Sequence, residues 1–178
     1  MKKTILKTMA ALPAVILMSV IFIFSAAEAP ESTKSSLTVS FKLIRAAESI
    51  GFLHLNPVQE YLSAVAIEGP IRKLAHITEY TILAAAVYIM FILWTNRRIL
   101  LYFVTVLFSL MYAASDEVHQ LFVKGRSGSF SDVCVDAIGV TIGAMIMLAI
   151  DNIFWPDRSE KDEFDWFWKE TTNADRKK

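Results

Sequence analysis

Four apolar blocks, at residues 8–27, 74–95, 99–115 and 133–150, limit this chain more than anything else in it. A helix needs about 20 residues, with a working range of about 17–25, to cross a hydrocarbon core of roughly 30 Å. All four blocks fit, the third by borrowing from its flanks. Inside lipid no water is present to bond backbone groups, so each block must close its hydrogen bonds within a helix. Four spans use about half of the chain at that length, which argues against a separate soluble domain. Composition agrees: 54% of the 178 residues are hydrophobic, against about 45–50% in soluble domains. The expected fold is all-α, a polytopic membrane bundle of four transmembrane helices with short interfacial helices in the first extracytoplasmic loop.

Formal net charge is +0, so the basic face that nucleic acid demands is missing and no nucleic-acid partner is expected. Cys134 is the single cysteine, which excludes an internal disulfide and a cysteine-based metal site. Its place in an apolar run makes it a packing residue.

Taken in order, residues 1–28 form the first transmembrane helix. Lys2, Lys3 and Lys7 precede an apolar run ending in Ala27-Glu28-Ala29-Pro30. The run exceeds a signal core of about 7–15 residues, and Pro30 follows the small-residue site, so the helix is read as an uncleaved anchor with a mild kink at Pro13. Residues 29–70 form the extracytoplasmic loop. Within it, 28–40 is polar and Ser/Thr-rich, while 41–50 and 57–67 are too short to span and read as surface helices. Asn56-Pro57 is a helix start, and Glu68-Gly69-Pro70 closes the region. Residues 71–150 hold three spans, the first two joined by a tight turn at Asn96-Arg97-Arg98. Residues 151–178 form a cytoplasmic tail in which Trp155, Trp166, Phe167 and Trp168 suggest a short interfacial helix.

Ionisable groups fall on particular faces of these spans. At about 100° per residue, Arg72, His76 and Glu79 share a stripe on the second helix, with Tyr80 at its border. On the third, continued through Gln120, the residues Ser109, Tyr112, Asp116, His119 and Gln120 share one side, while Glu117 points away. Gly125 and Arg126 lie in a turn, and Ser131 or Asp132 caps the fourth helix. There Asp132, Asp136, Gly139 and Gly143 form one stripe, the glycines allowing a neighbouring backbone close. Basic residues favour the cytoplasmic side, so the lysines at the N-terminus and Arg97-Arg98 place both termini inside. The ionisable cluster then converges at the outer face of a multi-pass protein of the cell membrane.

Three ordered motifs carry this cluster: Arg72-Lys73-Leu74-Ala75-His76-x-x-Glu79-Tyr80, Ser115-Asp116-Glu117-x-His119-Gln120, and Gly125-Arg126 followed by Asp132, Asp136 and Gly139. Together they resemble the VanZ-like membrane protein family, over roughly residues 72–150. Asp136 departs from the pattern, which leads one to expect Asn there in many relatives. The resemblance implies a small multi-spanning envelope protein. The founding member is associated with low-level resistance to teicoplanin, a glycopeptide that acts on cell-wall precursors outside the membrane. It brings no reaction with it.

Intramembrane ionisable residues mark functional sites by default, and the cluster supports several readings. In one, Arg126, Arg72, Glu79, Gln120, Asp132 and Asp136 bind or shield an anionic lipid-linked or cell-wall ligand on the outer face. In a second, the protein is an enzyme: Glu117 or Asp116 is a general base, His119 or His76 its acid partner, and Arg126 an anion clamp. A metal variant would use His76, Glu79, Asp116 and His119, but two imidazoles without an HExxH or cysteine ligand make a poor set, so neither metal nor cofactor is expected. A proton-linked transporter is disfavoured, since the spans show no repeats or broken segments. A purely structural salt-bridge network is the bland alternative. The bilayer is the one partner implied outright, and oligomerisation stays open.

Overall fold

The computed structural model describes residues 2–156. Most of the expected cytoplasmic tail, with the interfacial helix around Trp166, Phe167 and Trp168, lies outside the described residues. Helices account for all the regular structure among them: α1 (Lys2–Ser25), α2 (Ala29–Ser49), α3 (Pro57–Phe91), α4 (Arg98–Gln120) and α5 (Phe130–Phe154). Four of these, α1, α3, α4 and α5, are long and apolar enough to cross a membrane. The all-α, four-span expectation therefore holds.

The region before the second span differs from expectation in two ways. Residues 29–40 are not a loop but the first half of α2. Their serines and threonines turn their hydroxyls back onto carbonyls one turn earlier: Ser35 onto Glu31, Thr38 onto Lys34 and Ser40 onto Ser36. That back-bonding satisfies the hydroxyls inside the helix but does not favour it; the pairing of α2 with α3 holds the stretch helical. Residues 57–67, in turn, are not a separate surface helix. They run through Gly69 and Pro70 into the second span as one helix of 35 residues. An internal proline forfeits one backbone hydrogen bond and costs about 3 kcal/mol, but packing on both sides of Pro70 offsets it. Asn56 starts the helix with a capping box, its side chain accepting from the Gln59 amide (2.9 Å) while Gln59 accepts from the Asn56 amide (3.0 Å).

At 1.5 Å per residue α3 is about 52 Å long, well beyond a hydrocarbon core of about 30 Å. The excess is its N-terminal half, and α2 packs against it as an antiparallel partner. Arg45 pairs with Glu60 (2.7 Å), the Phe41 and Tyr61 rings lie 6.3 Å apart, and Ser36 donates to the Glu68 carboxylate.

Within the membrane, α3 is the central helix and touches all the others. Tyr80, Leu83, Ala84, Ala86 and Val87 of α3 form the core with Ala14 and Ile21 of α1, Ala113 of α4 and Val140 of α5. The tightest approach is to α5. A Cβ built on Gly139 would stand 2.3 Å from the Ile77 carbonyl oxygen, and one on Gly143 would stand 2.2 Å from that of Thr81. Only glycine permits this contact, and the Thr81 hydroxyl, 3.0 Å from the Gly139 carbonyl, closes it with a hydrogen bond. Helices in lipid gain little from burying apolar surface against one another, so such close packing is a main source of cohesion. Met9, Ile16, Ile82, Phe103, Leu107 and Met145 are exposed on the outside of the bundle, as lipid-facing residues must be. Cys134 is exposed there too; it is not the packing residue expected, because it lies on the side of α5 turned from α3.

The far end of the bundle is tied by a polar clamp. Arg98 lies 3.5 Å from the Asp151 carboxylate and donates to the Trp155 carbonyl, and the Tyr88 hydroxyl donates to Asp151 (2.9 Å).

Candidate functional site

At the opposite end, the last turns of α1, one face of α2, the first membrane turns of α3 and the end of α4 border a cavity of about 600 Å³. The α4–α5 loop closes one side of it. Gly125, at φ 77°, takes a backbone conformation that costs side-chain-bearing residues dearly, and this turn delivers Arg126. The loop is fastened to α2 twice: the Ala29 amide donates to the Lys124 carbonyl (3.3 Å), and Arg126 donates through Nη2 to the Ser32 hydroxyl (2.8 Å). Burial lowers the Arg126 pKa from its ordinary value, with Asp116 opposing that shift and Arg72 reinforcing it. A guanidinium starts so high that it stays charged.

Arg72, His76, Glu79, Asp116, Gln120 and Arg126 all border the cavity, although residues 80–115 separate the two groups in the chain. Helical spacing brings each set to one face, and the packing of α3 against α4 and α5 turns those faces together. His76 is half-buried and bonds through Nδ1 to Asp136 Oδ1 on α5 (3.1 Å). Asp136 is fully buried and stands behind the imidazole, off the cavity wall. An ionised carboxylate only accepts, so Nδ1 then donates and Nε2 is the nitrogen left for a ligand. Asp116 is 3% exposed. Its Oδ2 accepts from Gln120 Nε2 (3.1 Å), and its Oδ1 has no hydrogen-bond partner among the described residues.

Besides Asp136, three more residues of the expected cluster lie off the cavity. Glu117 is buried, not solvated, and faces the start of α5, where its Oε2 accepts from the Ser129 amide (2.9 Å). His119 stacks on Phe22 of α1, with ring centroids 4.3 Å apart. Asp132 is half-buried in the first turn of α5. The cap of α5 is Ser129, accepting from the Ser131 amide (3.1 Å), rather than Ser131 or Asp132. Among the described residues, no three His, Cys, Asp or Glu side chains stand together as a metal-binding group.

Sequence reasoning missed Ser32, Ser35 and Ser36, which α2 contributes to the cavity. Their spacing with Val39 and Leu43 repeats every three to four residues, a helical face that Ser/Thr content obscured. Also unforeseen is the apolar part of the wall: Ile21, Phe24, Val39, Leu43, Ile71 and Leu74. The site therefore joins charged groups to an apolar surface.

No curated protein and no solved structure matches the chain significantly. A family model described as VanZ/LLP1 matches residues 10–153. That match covers every residue bordering the cavity and nearly all of the four membrane-length helices. The chain is thus a multi-pass membrane protein and belongs to the VanZ/LLP1 family.

Proposed function

We propose that the cavity binds the anionic group of a lipid-linked or cell-wall ligand at the outer face of the cell membrane, and that this binding protects the envelope against a teicoplanin-type glycopeptide. One observation carries the reading: Arg72 and Arg126 border a cavity that also has an apolar stretch of wall, formed by Ile21, Phe24, Val39, Leu43, Ile71 and Leu74. Guanidinium groups form strong charge-assisted hydrogen bonds with phosphate or carboxylate, and a nearby apolar wall suits the hydrocarbon part of a lipid-linked molecule. The outward placement follows from Lys2, Lys3, Lys7, Arg97 and Arg98, whose positive charge favours the cytoplasmic side. Expression in a teicoplanin-sensitive bacterium tests it, comparing wild type with Arg126→Ala at equal membrane abundance. Wild type raises the inhibitory concentration of the drug and Arg126→Ala does not. Equal sensitivity of wild-type cells and cells lacking the protein would remove the protective role.

A second reading is favoured by the His76–Asp136 pair. A buried carboxylate holding an imidazole at the edge of a ligand cavity is a common arrangement for general acid–base catalysis. In that case His76 and Asp116 act on the bound ligand, Arg126 orients it, and Glu117 and His119 support the end of α4. His76→Gln then changes the cellular lipid profile relative to wild type, while a non-catalytic binder leaves the two profiles alike.

A further inference from the structure

We propose that the ligand is zwitterionic, a phospho-amine headgroup whose phosphate meets Arg126 and Arg72 and whose ammonium meets Asp116 and Glu79. The inference rests on the preceding reading of the cavity as an anion site and supplies the other half of the ligand. Two guanidiniums and two carboxylates border the same cavity. A bare anion would answer the first pair and oppose the second, whereas a net-neutral zwitterion answers both.

The carboxylates are also left waiting for a donor. Asp116 Oδ1 is buried without a partner among the described residues, and an unpaired acceptor in an apolar setting is costly. Glu79 is half-buried and makes no hydrogen bond or ion pair within 4.0 Å to a described residue. The cations keep capacity as well. Arg126 bonds Ser32 through one nitrogen of a group with five N–H donors, and the contact of Arg72 with Glu68 is loose at 3.8 Å. Phe24 and Leu74 on the cavity rim are exposed at the bundle surface, where acyl chains of the bilayer would lie. The volume of about 600 Å³ suits a small-molecule site of roughly 300–1,000 Å³.

The test offers the full chain, purified in detergent, phosphatidylethanolamine and phosphatidylcholine with identical acyl chains, and reads retained lipid by native mass spectrometry. The two headgroups share phosphate and charge, but only the primary ammonium donates hydrogen bonds. Phosphatidylethanolamine is retained over phosphatidylcholine by roughly tenfold, the factor that one charge-assisted hydrogen bond is worth. Asp116→Asn narrows the preference and, combined with Glu79→Gln, brings the two lipids close to equal retention, whereas Arg126→Ala lowers both. Equal retention by wild type, still dependent on Arg126, overturns the ammonium assignment and leaves the anion site standing. Retention that ignores Arg126 overturns both. Glycerophosphoethanolamine at the lipid's concentration does not displace it, because the apolar rim adds to binding; displacement would assign the site to a soluble phospho-amine and overturn the lipid as its source.

Discussion

His76 and Asp136 show how much one buried contact decides. Asp136 is fully buried and His76 supplies its hydrogen bond. Removing one member of a buried pair leaves the other uncompensated, at a cost of about 3–5 kcal/mol. His76→Ala is therefore expected to lower the melting temperature in detergent sharply. Asp136→Asn keeps an oxygen that accepts from Nδ1 and costs much less. The reverse ranking in thermal melts would show that the pair does not hold α3 to α5. Glu117 makes the same point from sequence. Helical spacing only points it away from the stripe of the third span, yet it accepts the Ser129 amide between α4 and α5. Glu117→Ala leaves that amide without its acceptor, at a cost of about 1–3 kcal/mol, while Glu117→Gln retains a carbonyl oxygen and most of the stability. A denaturation series comparing the two variants checks the difference.

At the scale of elements, α3 does two jobs because it is longer than the membrane is thick. Its C-terminal part is the bundle's centre, and its N-terminal half carries α2 to the cavity. The capping box at Asn56 anchors that projecting half, so Asn56→Ala costs about 1 kcal/mol and speeds proteolysis around residues 50–56 before it affects the spans. The α3–α5 seam is less forgiving. A methyl at Gly143 would press against the Thr81 carbonyl oxygen at 2.2 Å, so the helices must separate. Gly143→Ala is expected to cost about 1–3 kcal/mol as an overpacking change, read as a lower melting temperature. Unchanged stability would mean the seam relaxes freely.

At the scale of the whole molecule, the cavity sits at one end of the bundle and the Arg98–Asp151 clamp at the other. Orientation therefore decides which environment the cavity meets. Basic residues at the N-terminus and at the α3–α4 turn favour the cytoplasmic side, so the proposed function has the cavity facing outward. In a Cys134→Ala background, a cysteine at Ser127 should react with a membrane-impermeant thiol reagent in intact cells. One at Asn96 should react only after permeabilisation. The opposite pattern would place the cavity in the cytoplasm and end its link to drugs acting outside.

Spans, polarity pattern and family motifs were legible in the chain because they depend on local quantities: run length, helical period and motif spacing. The apolar blocks dictated four helices, the helical period put Arg72, His76 and Glu79 on one face of the second span and Asp116, His119 and Gln120 on one face of the third, and Gly139 with Gly143 marked a close helix contact. The sequence alone did not reveal the helicity of residues 29–40, the continuity through Pro70, the burial of Glu117 or the serine face of α2. Each depends on a partner distant in the chain or on a balance between a local penalty and packing elsewhere. A Ser/Thr-rich stretch and a Gly-Pro pair both lean locally away from helix, and only the α2–α3 pairing outweighs that. The cavity likewise exists only once α1, α2, α3 and α4 are assembled, because no single helix carries both its charges and its apolar wall.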